Sequence, residues 1–194
     1  MVASCYVSVG LCLYLGIGRL LPIRMPGIRN IVRDMEGSDI YSSQKIVSSK
    51  KKSIEHVIPI SYLKKEHRWD PINLVVTSHR LNNWRQDRYF TEKEESLLYQ
   101  QRHEKLRMGN AEHIRYQEYF VPDEKLSKRG RIARIQLYMI HRYGYLDERY
   151  SDGQTEILME WIRRYPITIE EACQLIRRLY VFSLLSVSSF VSGS

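Results

Sequence analysis

Two short apolar runs, Ile54 to Pro59 and Ile72 to Val76, flank a polar, basic connector, and an amide-rich basic segment holding Asn82, Asn83 and Arg85 follows at once. Runs this short and this rich in Ile and Val suit strands better than helices. In the first run Ile54, His56 and Ile58 share one face and Glu55 and Val57 the other. Pro59 marks its end, because proline cannot donate to a sheet ladder. The order predicts strand, connector, strand, helix: a small hairpin with a helix folded against it.

The same stretch carries chemistry. Cleaving a phosphodiester needs a cation against the phosphate charge, a base to take a proton from water, and relief for the departing alkoxide. His56 suits the base, since an ordinary imidazole pKa of roughly 6.5 leaves it largely neutral at neutral pH. Glu55 and Asn82 offer one carboxylate and one amide carbonyl, hard donors suited to magnesium, which keeps most of its waters. Consecutive strand residues face opposite ways, so Glu55 and His56 serve one site only where the strand bends or twists, or where the ion sits at its edge. Singly, each residue has an ordinary explanation. A strand histidine is usually packed, an asparagine pair is usually a turn or cap, and Arg68 and Arg85 would usually be solvated charges.

Order and spacing add what the single residues lack. The string EHVIP from Glu55, then D-x-x-N-L at Asp70, Asn73 and Leu74, then N-x-x-R at Asn82 and Arg85, resembles the endonuclease I family of bacterial secreted and periplasmic nucleases, a branch of the ββα-metal or His-Me finger nucleases. A second block continues the likeness at Pro122, Gly130, Ala133, Arg134, Tyr138, Met139, Arg142 and Tyr143, and a third at Leu158, Trp161, Tyr165, Pro166 and Thr168. The resemblance runs from Tyr41 to Arg178.

The resemblance implies an α+β fold: a mostly helical single domain around a small β-hairpin, with a ββα-metal element holding one magnesium-like ion, manganese and calcium being the alternatives. It implies His56 as general base and Glu55 and Asn82 as metal ligands. Asn73 would brace the hairpin or orient the base. Arg85 would hold the scissile phosphate or pair locally, and Arg68, between the strands, would take the product phosphate. Products would carry 5'-phosphate and 3'-hydroxyl ends, with little base preference, on DNA and with RNA as a further substrate. Lys64 and Lys65 in the connector, and Arg131 and Arg134 on a later helix, are the expected nucleic-acid contacts.

Two departures favour an alternative, a decayed nuclease that binds nucleic acid without cutting it. Ile72 stands where the family commonly has a histidine, and after Arg178 the chain reads LYVFSLLSVSSFVSGS in place of the family's closing asparagine-rich pattern. Glu55, His56 and Asn82 are retained, which speaks against complete decay.

The remainder of the chain frames this stretch. Its 194 residues suit one domain, taken as 22–180 with an atypical tail at 181–194, and a monomer is expected. An apolar share of 43% excludes a disordered chain, and a net charge of +8 predicts salt-sensitive attraction to polyanions. Residues 1–21 hold no charge before Arg19 and read as a signal peptide or tilted anchor, with a buried N-terminal helix as the alternative. Cleavage there would make the protein secreted or periplasmic, with no stable membrane partner; a retained anchor would make it a membrane-attached structural protein. Cys5 and Cys12 fall in that stretch, and Cys173 reads as a small core residue. Residues 22–52 read as irregular, and 91–117 as a solvated helix or helix pair with His103 and His113 on its surface. Helices are predicted at 128–143, stopped by Gly144, and at 155–164, stopped by Pro166. A third helix starts with a capping box from Thr168 to Glu171, with Ala172, Leu175, Ile176 and Leu179 facing inward.

Overall fold

In a computed structural model, strand β1 (Lys52–His56) pairs antiparallel with β2 (Leu74–Ser78), placing Ile54 opposite Val76 and His56 opposite Leu74. The structure describes residues 2–21, 27–42, 45–90, 119–120, 122, 128–144 and 154–191. The connector turns through two short 3-10 segments, Ile60–Tyr62 and Lys65–His67. Helix α3 (His79–Arg85) begins directly after β2, with the Ser78 hydroxyl accepting from the Leu81 N–H as its N-cap.

Leu74, Val75, Val76 and Thr77 are all buried, so β2 is covered on both faces rather than alternating between core and water. One cover is a helix that sequence patterning did not show. Helix α2 (Ile28–Met35) lies within the stretch expected to be irregular, and it packs on both strands with Ile28 and Val32 turned inward. Pro22, Pro26 and Gly27 signalled a break; they precede the helix, and Gly27 leads into it at φ 74°, a left-handed conformation that glycine adopts without a Cβ penalty.

The larger layer is helical: α1 (Val2–Leu20), α4 (Lys128–Tyr143), α5 (Gln154–Arg164) and α6 (Ile169–Val191). Among the described residues this makes six helices around a small hairpin, an α+β fold. A minor parallel pair, β3 (Tyr89–Phe90) and β4 (Tyr119–Phe120), packs its aromatic rings against Tyr41, and Phe90 also meets the buried Trp161 of α5. Helix α4 ends as its pattern predicts, at Gly144 with φ 67°.

Within residues 1–21, expected as a leader or anchor, Val2–Leu20 form α1, which packs on α4, α5 and α6. Tyr14 is buried and donates its hydroxyl to Glu171 Oε1 at 2.8 Å. Among the described residues no helix is long and apolar enough to cross a membrane.

Helix α6 differs from its expected register. The Thr168 hydroxyl does cap the Glu171 N–H, but the buried positions are Glu171, Leu175, Arg178 and Phe182, spaced by four, three and four. Ile176 and Cys173 were expected inside and lie exposed. Two charged side chains occupy the inward face because each finds an opposite charge there, as described below. The expected helix or helix pair over 91–117, with His103 and His113, lies outside the described residues.

Candidate active site

The end of β1 is held by three separate grips. Val57 donates its N–H to the Asn73 carbonyl, while the Asn73 side chain accepts from the Ile58 N–H at 2.7 Å and donates to the Ile58 carbonyl at 3.0 Å. Asn73 therefore closes the backbone where the strand bends. Arg85, only 1% exposed, reaches from α3 to the carbonyls of His56 (3.0 Å) and Val57 (2.6 Å) and to Glu55 Oε1 (2.8 Å). The third grip is Asn82, whose Nδ2 donates to Ser53 Oγ at 2.7 Å and to the Ile54 carbonyl at 3.1 Å, tying the middle of α3 to the first half of β1.

These grips let neighbouring strand residues share a site. Glu55, His56 and Asn82 all line one cleft of about 580 Å³, along with Ser53, Arg85 and Arg29 of α2. Glu55 receives the Tyr41 hydroxyl at 2.7 Å as well as Arg85, both on Oε1, and the His56 N–H also bonds the carboxylate; neither side-chain bond takes Oε2. Burial pushes the Glu55 carboxyl above the usual range, against the opposing pull of Arg85 and Tyr41. Both hydrogen bonds of the Asn82 side chain leave from Nδ2, so its Oδ1 is the free acceptor.

His56 faces the connector. Its Nε2 lies 2.9 Å from the carbonyl of Arg68; a carbonyl only accepts, so the proton sits on Nε2 and the lone pair on Nδ1. Burial lowers the imidazole pKa to about 4, with Arg29, Arg85 and Arg68 adding to the effect and the Arg68 carbonyl opposing it. The ring is therefore neutral at neutral pH. Trp69 packs its edge against it, centroids 6.0 Å apart.

The remaining expected contacts divide by exposure. Lys64 and Lys65 are exposed on the connector. Arg68 is half-buried, and its role at the site runs through its backbone carbonyl. Arg131 and Arg134, expected on a cationic flank of α4, are turned inward. Arg134 is buried in a two-bond pair with Glu171, and Arg131 bonds Glu36 at 2.5 Å and Gln174 at 2.9 Å. A basic residue on an amphipathic helix usually faces water; these two do not, because Glu36 and Glu171 are buried beside them.

The donor set fits a hard divalent ion. Glu55 and Asn82, one carboxylate and one amide, line a shared cleft, the small protein contribution that magnesium accepts. Among the described residues no three His, Cys, Asp or Glu side chains cluster as a metal site; an ion held by Glu55, Asn82 and water needs none. Arg29 had no motif to announce it. It reaches the cleft through α2, the element that the pattern of residues had hidden.

A family model described as Endonuclease I matches residues 27–174, from the glycine before α2 into α6. Among curated proteins no match is found.

Proposed function

This chain belongs to the endonuclease I family, and on that premise we propose that it is a metal-dependent endonuclease that hydrolyses phosphodiester bonds at the Glu55, His56 and Asn82 cleft. The observation that carries the reading is the convergence of those three side chains on one cleft, although two of them are strand neighbours and the third follows on a helix.

The geometry supports a role for each residue. His56 donates a hydrogen bond from Nε2–H to the Arg68 carbonyl and so offers the Nδ1 lone pair to a water attacking phosphorus. The water oxygen forms the new P–O bond, Nδ1 takes its proton, and the P–O3' bond breaks with its electron pair leaving on the 3' oxygen, which is then protonated. The products are a 5'-phosphate and a 3'-hydroxyl. Burial disfavours the imidazolium that forms; an anionic phosphate in the cleft offsets that cost by pairing with the new charge. Glu55 and Asn82 would hold the ion, through Oε2 and Oδ1, and magnesium, manganese or calcium bound there would neutralise the phosphate and the leaving oxygen.

Arg85 acts by holding Glu55 and the strand end, and Asn73 by holding the bend. Lys64, Lys65 and Arg68 lie on the connector beside His56, suited to the backbone of a DNA or RNA strand, which would be bound with little base preference.

The test is plasmid cleavage by the full chain with magnesium or with excess chelator. Supercoiled plasmid should become nicked and then linear only with the metal. His56→Ala should lower the rate by roughly 10²- to 10⁴-fold while plasmid binding persists; an unaltered rate rejects His56 as the base. One observation favours a second reading, a nucleic-acid-binding protein without turnover: Glu55 is already paired to Arg85 at 2.8 Å, so an ion must share it. Binding without cleavage in magnesium, manganese and calcium alike would select that reading.

A further inference from the structure

Arg29 is a cleft cation that the proposed reaction leaves unused. It is exposed, it lines the same cleft as Glu55, His56 and Asn82, and among the described residues it has no carboxylate partner. Its guanidinium carbon lies 5.0 Å above the Trp69 ring, and Trp69 in turn packs against His56. Trp69 thus touches both the imidazole and the guanidinium, two side chains that line the cleft. Stacking on an aromatic face fixes a side chain that would otherwise spread over many rotamers. A guanidinium held over a ring in this way still carries N–H donors for an oxyanion with two acceptors.

The chemistry of the walls selects the ligand. Glu55 is offset by Arg85, and the one other carboxylate lining the cleft, Asp87, is exposed. A stacked cation set one ring away from the base is placed for a phosphate on the same strand as the bond being cut. We propose that Arg29 is a phosphate-binding residue that clamps a backbone phosphate flanking the scissile one, positioned for this by Trp69. The proposal rests on the nuclease reading of the cleft and adds to it a contact from α2.

The experiment measures duplex DNA binding by the His56→Ala chain over a salt series in magnesium, with and without Arg29→Gln, Arg29→Lys and Trp69→Leu. Each neutralised phosphate contributes about 0.9 to the slope of log affinity against log salt. Arg29→Gln should flatten the slope by about that much and weaken binding about tenfold. Arg29→Lys should restore the slope while binding more weakly than arginine, and Trp69→Leu should weaken binding with the slope retained. In the chain with His56 intact, Arg29→Gln should raise KM with kcat largely kept. An unchanged slope in Arg29→Gln overturns the proposal and leaves the nuclease reading standing; failure of the His56→Ala parent to bind DNA overturns both. A slope lost equally in Arg29→Gln and Arg29→Lys would also overturn it, since a charge contact survives that exchange.

Discussion

Asn73 shows how much a single side chain can decide. Its amide makes both hydrogen bonds of the Ile58 peptide groups at the bend after β1, and it is fully buried. Asn73→Ala would strand a buried N–H and a buried carbonyl, a loss of roughly 2 to 4 kcal/mol, to be read from the shift in urea midpoint. Loss of activity without loss of stability would instead make Asn73 an orienter of the base. Asp70, three residues earlier, explains why widely separated motif residues recur together. Its carboxylate accepts from the hydroxyls of Tyr138 (2.8 Å) and Tyr143 (2.7 Å) and the Ile72 N–H (2.8 Å), with Arg142 3.4 Å away. The D-x-x-N-L and Y-M-x-x-R-Y patterns are two halves of one buried cluster. Each half was legible in the sequence; that they touch was not, because nothing local links positions 68 residues apart. The same limit hid the fates of Arg131 and Arg134, whose partners are Glu36, just after α2, and Glu171 of α6.

Between elements, α4 comes close to the chain leaving α5. Gly130 sits so near Tyr165 that an added Cβ would meet the Tyr165 backbone carbonyl, and Arg134 donates to that same carbonyl at 2.8 Å. The G-x-x-A-R spacing thus describes a contact: glycine admits the neighbouring backbone, and arginine, one turn on, bonds it. In an open helix Gly→Ala would stabilise by roughly 1 kcal/mol. Gly130→Ala should do the reverse and cost about 1 to 3 kcal/mol, since a backbone carbonyl cannot rotate out of the way; a rise in thermal midpoint would show that the helices do not meet there. Helices of several turns, such as α4 and α5, were legible from periodicity because many positions repeat the signal. Helix α2 carries Ile28, Ile31, Val32 and Met35 at helical spacing, but two turns behind Pro22, Pro26 and Gly27 were too short a run to tell it from a loop.

Across the whole molecule the parts are joined by Glu36, which follows α2. Its carboxylate accepts from the Val76 N–H of β2 at 3.0 Å, from Arg131 of α4 at 2.5 Å and from Arg178 of α6. Arg178 also bonds the carbonyls of Pro71 and Leu74, so one buried acid ties the hairpin to two helices of the larger layer. Burial alone would push the Glu36 carboxyl up; Arg131, Arg178 and the Val76 N–H outweigh it and hold it at about 2 rather than 4.5. A carboxyl depressed on folding stabilises the protein above its unfolded pKa and ceases to as pH falls through its folded one. Glu36 should therefore contribute roughly 3 kcal/mol at neutral pH, declining between pH 4.5 and 2. Glu36→Gln should be less stable by about 3 to 5 kcal/mol at pH 7, because two arginines lose their counter-charge. Its stability should also fall less steeply than the parent's in that acid window. Urea unfolding followed by tryptophan fluorescence at pH 7, 4.5 and 3 separates the two effects. Parallel acid decline in both chains would place the acid sensitivity in other carboxylates, and an unaltered midpoint at pH 7 would mean that hairpin and helices are held together without Glu36.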